Sequence, residues 1–212
     1  MKLGLACDAW PPPSQVLDLL ERAGLQAGAL RGVPGPALLD ADDATWLLAP
    51  GADVLEACAR GALDAGVAGK DLLLELAPPL HELLDLRVCR DVLVYATPEP
   101  GVGVLRRART RVATRYPQVT RRHFAVTGRQ VDLVAFDAVL LAPGLGIADG
   151  VVELRSRLTL DDGSTGPAVG LRVREDIAAC SARLVAGRAA RALGGERLAE
   201  LLERLRASVE EI

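Results

Sequence analysis

Aromatic residues are scarce in this chain, and their scarcity limits the kind of core that it can build. Only 3% of its 212 residues are Phe, Trp or Tyr, although 50% are hydrophobic. The core must therefore consist mainly of Leu, Val and Ala. Such a composition argues against an aromatic-rich β-sandwich and favours helices packed on buried parallel strands.

A surplus of positive charge is also missing. The formal net charge is −3 and the sequence pI is about 5.5, whereas a nucleic-acid-binding domain usually carries a basic surplus or a basic stripe. The local basic run is interpreted as a solvated loop and strand edge, and it comprises Arg106, Arg107, Arg109 and Arg111. We therefore expect no nucleic-acid partner.

Cysteine pairs and long apolar runs are absent as well. The four cysteines are far apart and form no CxxC pair, which argues against a zinc site and against a disulfide framework. The simplest interpretation is buried thiols in a reducing compartment. The N-terminus lacks the apolar run of a signal peptide, and no segment is long and apolar enough to span a membrane. We expect a cytoplasmic protein with no membrane partner.

Strand-like and helix-like segments alternate along the chain. Lys2–Ala6, Thr45–Ala49 and Asp91–Thr97 read as buried strands, Ser14 is predicted to cap the first helix, and Glu196–Glu211 repeats leucine at helical spacing. Because the links are short, the sequence predicts an α/β fold with mostly parallel sheets and right-handed crossovers.

Three expectations concern the second half of the chain. Ala138–Ala142 is predicted to be a short helix and Ala168–Val173 a strand. His123 lies in an arginine-rich helix, and we expect it to be exposed rather than catalytic.

General catalytic motifs are absent: there is no P-loop, no GxGxxG after a strand, no GxSxG and no HExxH. Three other segments are more informative. In the first, a buried strand ends in Gly69 and is followed by Lys70 and Asp71 at a helix start. Strand ends of this kind bind anionic ligands in α/β sheets, although a plain turn with a surface Lys–Asp pair explains the pattern equally well.

The second segment is Arg111–Pro117. Thr114 at a strand end and Tyr116 at a helix start could line a cleft with hydroxyl groups. The alternative is a helix start with proline in its first turn and no ligand role.

The third segment, residues 141–159, combines acidic residues with arginines and hydroxyls. Carboxylates can hold ribose hydroxyls or a magnesium ion, while cations and hydroxyls can hold phosphates. The arrangement suits a sugar phosphate, and the alternative is an amphipathic strand end with a charged turn. The candidate ligand-binding residues are Gly146, Asp149, Glu153, Arg155, Ser156, Arg157 and Thr159.

Together these segments resemble the ATP phosphoribosyltransferase family, which starts histidine biosynthesis. RVATRYP at 111–117 is close to the family's RVATKYP, and VAGKDLLLE at 67–75 resembles its VGKDVLLE. LAPGLGIADGVVEL at 141–154 resembles LAPLVGLADAIVDI, and CSARLVAGRAA at 180–190 is similar to a family strand and helix. The resemblance covers residues 50–190, in order.

The resemblance implies a two-lobed fold like that of type II periplasmic binding proteins, with the ligand cleft between the lobes. Lobe I would comprise residues 1–98 and 175–212, and lobe II residues 99–174. The implied reaction joins ATP to phosphoribosyl pyrophosphate with release of pyrophosphate, assisted by Mg²⁺. A chain of this length resembles the short form, which lacks an added regulatory domain, forms homo-oligomers and works with a regulatory subunit related to histidyl-tRNA synthetase.

The resemblance also implies roles for single residues. The adenine N1 would attack the sugar directly, so no protein nucleophile is needed. The ribose hydroxyls would be held by Asp149 and Glu153, the 5′-phosphate by Arg155, Ser156, Arg157 and Thr159, and the pyrophosphate or the nucleotide by Lys70.

The chain departs from the family in four places. Cys7–Pro13 replaces a Lys-Gly-Arg-Leu turn, Pro50 aligns with a family arginine, and Leu140 stands where the family's ELAP has glutamate. The phosphate loop, Thr-Gly-any-Thr in the family, reads as Arg155–Thr159. Without the glycine, side chains rather than a backbone cradle would contact the phosphate. The alternative function is therefore a catalytically inactive paralogue or ligand-binding subunit of the same fold, and a generic two-lobed small-molecule binder is a third, weaker reading.

Overall fold

The computed structural model describes residues 1–8, 12–41, 44–99, 109–158, 170–188 and 195–211. The chain divides into two compact units, the first formed by Met1–Arg90 with Ser181–Ile212 and the second by Asp91–Cys180. The divisions therefore follow residues 90 and 180 instead of 98 and 174. The reason is that the strands Asp91–Pro98 and Leu171–Cys180 pair with each other along their lengths and so belong to one sheet.

The first unit contains a six-stranded mixed sheet in the order β2-β3-β1-β4-β11-β5. β1 pairs in parallel with both β3 and β4, while β2, β11 and β5 join antiparallel. The strands are β1 (Lys2–Ala6), β2 (Ala37–Asp40), β3 (Thr45–Ala49), β4 (Ala65–Gly69), β5 (Leu80–Asp85) and β11 (Ala182–Gly187).

Among the described residues, four α-helices accompany this sheet: α1 (Ser14–Arg22), α2 (Gly51–Ala59), α3 (Lys70–Leu76) and α5 (Gly195–Glu210). Pro13, not Ser14, is the residue before α1, and no side chain caps that helix. The prediction for Ser14 was wrong because the proline already fixes the backbone at the cap position, so that Ser14 becomes the first helical residue.

The core of the first unit consists mainly of aliphatic side chains, as the composition predicts, together with the fully buried Trp46. Close packing of α2 on the sheet depends on Gly4 and Gly66. A Cβ at Gly4 would lie 2.7 Å from Val54 Cγ1, and one at Gly66 would lie 2.8 Å from Cys58 Sγ. Burial raises the pKa of the Cys58 thiol to about 12, so this thiol stays protonated and is a packing residue.

The second unit contains a five-stranded sheet in the order β10-β6-β9-β7-β8. β7 is parallel to β8 and β9, whereas β6 is antiparallel to β9 and β10. The strands are β6 (Asp91–Pro98), β7 (Thr110–Thr114), β8 (Val131–Val134), β9 (Gly150–Leu154) and β10 (Leu171–Cys180).

The expectation of mostly parallel sheets was wrong. Among the described strands, four pairings are parallel and five are antiparallel. β2 and β3 form an antiparallel pair of strands adjacent in the sequence, and the other four antiparallel pairings join distant parts of the chain. Alternation of strand and helix in the sequence does not reveal the direction of these distant partners. β10 also continues well beyond the predicted Ala168–Val173, of which 168 and 169 lie outside the described residues.

The second unit has one α-helix among its described residues, α4 (Pro117–Val126), and two 3-10 turns, Val139–Leu141 and Arg155–Leu158. The first turn replaces the helix predicted at Ala138–Ala142. Pro143 and Gly144 follow Ala142. Proline disfavours continuation of a helix because it restricts the preceding residue and cannot donate a backbone hydrogen bond.

His123 is not exposed, contrary to expectation, because it joins α4 to β10. Its side chain is 17% exposed and its Nε2 lies 2.8 Å from Glu175 Oε2. Arg129 binds the same carboxylate with two N–H groups at 2.6 and 2.5 Å and lies over the Phe124 ring, 4.5 Å from its centroid. One carboxylate on β10 therefore anchors both α4 and the turn between α4 and β8.

Across the residues that the structure describes, none of the helices combines the length and the hydrophobicity needed to cross a membrane.

Leu205→Ala tests the packing of α5 in the first unit. The Leu205 side chain is 0% exposed within the core, so truncation should lower the free energy of unfolding by about 2–5 kcal/mol. Urea unfolding measures this change. The neighbouring Arg206→Ala, at an exposed position, should change it by less than about 0.5 kcal/mol, and equal losses for the two variants would contradict the packing.

Glu175→Gln tests the anchor between α4 and β10. The hydrogen bonds from Arg129 hold the pKa of Glu175 below its ordinary value of 4.5. The unfolded carboxyl therefore takes up a proton at a higher pH than the folded one, so the stabilisation is present above pH 4.5 and is lost as the pH falls through the folded value.

Urea unfolding of the wild-type protein and of Glu175→Gln, from neutral pH downward, measures the difference in stability. We expect a difference at neutral pH that shrinks steadily below pH 4.5. A difference that stays constant with pH would mean that the charge of Glu175 does not stabilise the unit.

Candidate functional site

One edge of the second unit's sheet collects most of the predicted polar residues. β7 and β9 are parallel neighbours with Thr114 opposite Val152, so the residues that follow both strands emerge side by side. We call this the polar edge and define it as Thr114, Arg115, Tyr116, Glu153, Arg155, Ser156 and Arg157. Asp91, which begins β6, lies at the same edge because β6 is antiparallel to β9.

Glu153 is the buried acid of the polar edge, with a side chain 1% exposed. Its Oε2 accepts hydrogen bonds from Arg115 Nη2 at 3.0 Å and Nε at 3.3 Å. Its Oε1 accepts the Leu154 N–H at 2.9 Å and lies 4.0 Å from Arg157 Nε. A carboxylate that is removed from water stays ionised only when cations and hydrogen-bond donors compensate its charge.

Thr114 and Tyr116 do not offer exposed hydroxyls. Both residues are buried, at 6% and 5% exposure. Thr114 Oγ1 accepts the Tyr116 N–H at 2.8 Å, and Pro117 opens α4. The threonine therefore stabilises the turn between β7 and α4, which is close to the alternative without a ligand role.

The three polar residues after β9 are each associated with an acid. Arg155 forms an ion pair with Asp176, Ser156 donates its backbone N–H and its hydroxyl to Asp91, and Arg157 lies beside Glu153. These residues form a 3-10 turn rather than a glycine loop. Thr159 lies outside the described residues.

Asp149 and Gly146 lie at the opposite end of β9. Asp149 accepts the Arg111 backbone N–H at 2.8 Å and pairs with the Arg111 guanidinium at 2.8 Å, which raises the pKa of Arg111. Arg111 also donates to the Gly146 carbonyl at 2.9 Å, and Gly146 has a φ of 68°. Asp149 and Glu153 are thus about 13 Å apart along the strand, and the structure does not bring them together.

Lys70 and Asp71 belong to the first unit, where α3 follows β4. Lys70 forms an ion pair with Glu82 on β5, and its backbone N–H donates to the Ser181 carbonyl at 3.0 Å. Asp71 lies in the first turn of α3 and turns back toward Gly69, where a Cβ would lie 2.2 Å from its Oδ1. This spacing explains the glycine at the end of β4.

Sequence reasoning missed four partners of these residues. Arg115, Asp91 and Asp176 complete the polar edge, and Asp8 accepts the Gly51 N–H at 3.0 Å at the start of α2. Arg115 lies within the segment Arg111–Pro117. A cation at the end of one strand, beside an acid at the end of the neighbouring strand, is the sequence signal that could have identified it. The pairing of Asp91 and Asp176 depends on antiparallel strands that the sequence did not predict.

The polar edge can bind an anion that carries hydroxyl groups. Its arginines and serine can donate hydrogen bonds to a phosphate, and its carboxylates can accept from hydroxyls. The described residues contain no cluster of three or more His, Cys, Asp and Glu side chains that could hold a metal ion.

Comparison with known proteins shows what the chain resembles. The profile of the HisG family, described as ATP phosphoribosyltransferase, matches residues 50–207. An ATP phosphoribosyltransferase of Symbiobacterium thermophilum is 34% identical over 202 residues, covering 92% of this chain and 89% of the relative. One from Ectopseudomonas mendocina is 37% identical over 175 residues, covering 80% and 78%.

Solved structures agree on the fold. The ATP phosphoribosyl transferase (HisG:HisZ) complex from Thermotoga maritima contains a chain that matches with a TM-score of 0.77 at 22% identity, with full coverage of both chains. The VFT2 domain of Bordetella pertussis BvgS matches with a TM-score of 0.60 at 16% identity, covering 100% of this chain and 87% of that one. These likenesses confirm the two-lobed α/β fold of type II periplasmic binding proteins.

The family profile spans β4, β7 and β9 with the polar edge, and two relatives more than 30% identical cover most of the chain. This chain therefore belongs to the ATP phosphoribosyltransferase family.

Proposed function

We propose that the polar edge of the second unit binds the phosphoribosyl group in the reaction of this family. That reaction joins ATP and phosphoribosyl pyrophosphate to give phosphoribosyl-ATP and pyrophosphate, the first step of histidine biosynthesis, and makes the protein a glycosyltransferase. The observation that carries the proposal is the grouping of Glu153, Arg155, Ser156 and Arg157 at one sheet edge inside the family match. The family match and the similarity to named ATP phosphoribosyltransferases favour this function over an inactive paralogue or a generic binder.

The ribose hydroxyls are assigned to Glu153. A hydroxyl group donates a strong hydrogen bond to a charged acceptor. Glu153 provides such an acceptor at the end of β9 that forms part of the polar edge. Asp149 was expected to share this task. Because Arg111 holds it with three hydrogen bonds at the other end of β9, we assign it a structural role instead.

The 5′-phosphate is assigned to Arg155, Ser156 and Arg157, with Thr159 as a further predicted donor. Arginine binds phosphate through several N–H groups in a fixed geometry. Arg155 and Arg157 are about half and one-third exposed, so both guanidiniums can reach a ligand. The phosphate would take the place of Asp176 on Arg155, exchanging one anion for another.

We propose that Mg²⁺ binds together with the diphosphate of the substrate. Magnesium commonly binds through substrate phosphates and few protein carboxylates, which agrees with the donor set of the polar edge. In the first unit, Lys70 is proposed to contact the pyrophosphate or the nucleotide. Asp71 stays a predicted contact at the same strand end.

The chain's contribution to the chemistry is positioning and charge. The bond from the adenine N1 to the anomeric carbon forms as the bond from that carbon to pyrophosphate breaks, so no side chain needs to act as a nucleophile. The protein holds the two substrates in line and stabilises the charge that develops on the leaving pyrophosphate.

A regulatory partner belongs to the proposal as well. The matching Thermotoga maritima chain was solved as a HisG:HisZ complex, and we propose that this chain binds a subunit related to histidyl-tRNA synthetase. Homo-oligomer formation and a cytoplasmic location remain predictions.

The activity is tested with the purified full chain, ATP, phosphoribosyl pyrophosphate and Mg²⁺, with and without the HisZ-like subunit. We expect phosphoribosyl-ATP to appear, measured by its ultraviolet absorbance and by mass. A folded chain that makes no product under either condition would contradict the proposed function.

Glu153→Gln and Asp149→Asn separate the two acids of β9. Loss of the charged acceptor in Glu153→Gln should lower kcat/KM for phosphoribosyl pyrophosphate by about 10- to 100-fold. Asp149→Asn should leave kcat/KM little changed but lower the free energy of unfolding by about 1.5–3 kcal/mol, because the charged hydrogen bonds to Arg111 are weakened.

The matched control is Asp132→Asn. Asp132 pairs with Arg109 at 3.5 Å, and both side chains are more than half exposed, so neither stability nor activity should change appreciably. A loss of activity in Asp149→Asn as large as that in Glu153→Gln would restore Asp149 to the binding site and contradict our assignment.

A further inference from the structure

Arg115 is the charged residue of the polar edge to which the family resemblance assigns no role. We infer that Arg115 is a positioning residue, which keeps Glu153 ionised and aimed so that it can accept the ribose hydroxyls. The inference rests on the proposed function, because it concerns how Glu153 performs the task assigned there.

The first step of the argument is burial. Glu153 is 1% exposed, and a carboxylate removed from water is strongly disfavoured in its ionised form unless a cation and hydrogen-bond donors compensate. A neutral carboxyl at this place would present a proton instead of an acceptor. The charge of Glu153 therefore has to be maintained by its surroundings.

The second step identifies which group maintains that charge. Arg115 contacts Glu153 Oε2 with two nitrogens at 3.0 and 3.3 Å, whereas the Nε of Arg157 is 4.0 Å from Oε1. The Leu154 N–H fixes Oε1 but carries no net charge. On β6, the residue opposite Glu153 is the apolar Val94. Among the residues that the structure describes, Arg115 is thus the cation in closest contact with this carboxylate, and Arg157 is the more distant one.

The third step is rigidity. Arg115 follows Thr114, which is buried, and Thr114 Oγ1 holds the Tyr116 N–H at 2.8 Å. The backbone on both sides of Arg115 is therefore fixed relative to β9. The Arg115 side chain is 48% exposed while its partner is 1% exposed, so the guanidinium provides the solvent-facing part of the pair, where a ligand would approach.

Arg115→Met removes the charge and keeps a long side chain, and Arg115→Lys keeps the charge without the two-nitrogen contact. Arg109→Met is the matched control, since Arg109 lies just before β7 and pairs only loosely with the exposed Asp132. The first readout is calorimetric binding of phosphoribosyl pyrophosphate with Mg²⁺, which does not depend on turnover. The second is kcat and KM for each substrate as a function of pH.

We expect Arg115→Met to weaken phosphoribosyl pyrophosphate binding by about tenfold, with a much smaller change in KM for ATP. The acidic limb of kcat/KM should move to higher pH, because the buried carboxylate takes up a proton more readily without its cation. Arg115→Lys should show an affinity and a pH profile between those of Arg115→Met and the wild-type protein. If Arg115→Met does not fold, the comparison of Arg115→Lys with the wild-type protein provides the test. Arg109→Met should match the wild-type protein.

A double-mutant cycle shows whether Arg115 acts through Glu153. If it does, adding Arg115→Met to Glu153→Gln should weaken binding little further. Fully additive losses, or an unchanged affinity and pH profile in Arg115→Met, would overturn the inference while leaving the proposed function in place. Failure of the unsubstituted protein to bind phosphoribosyl pyrophosphate would overturn the proposed function and this inference with it.

Discussion

The parallel register of β7 and β9 is the constraint on which the polar edge depends. Thr114 lies opposite Val152, so the residues that follow each strand emerge together and Arg115 meets Glu153. At the other end of the same pair, Arg111 meets Asp149. Asp149, just before β9, and Glu153, within it, therefore each have their own arginine on β7 or just after it, and the register decides which of the two acids lies at the polar edge.

The polar edge neutralises its own charges. Arg155 is paired with Asp176, Ser156 is bonded to Asp91, and Arg115 is paired with Glu153. Under the proposed assignment, a phosphate at the polar edge would exchange places with a carboxylate, so the gain in binding would be the difference between two charged contacts. This is the physical consequence of replacing a glycine loop, whose backbone N–H groups face outward, with side chains that already have partners.

Residues with a strong local signal could be predicted from the sequence, and their partners could not. β1 and β3 have the predicted bounds because each is an apolar run that ends at a polar residue or a proline. β5, with the sequence LHELLD, was missed because its charged residues resemble a helix or a loop. Asp149 and Glu153 were both identified as acids of a sugar-phosphate site, but four positions along a strand place them at opposite ends. His123 was misjudged because Glu175 comes from β10, distant in sequence.

Some departures from the family pattern can be compensated by other residues of the chain, and others cannot. A transfer without a protein nucleophile requires correct charges at correct distances, so a cation lost from one segment can be supplied by another. At the end of β1, for example, Cys7–Pro13 stands where the family has a cationic turn, and the carboxylate of Asp8 accepts the N–H of Gly51 there. Lys70, which the family pattern also has, is retained after the adjacent strand β4 of that sheet. A buried carboxylate and its arginine do not have this freedom, because losing either one leaves the other charge uncompensated. The pair formed by Arg115 and Glu153 is therefore the part of the site least able to change one residue at a time.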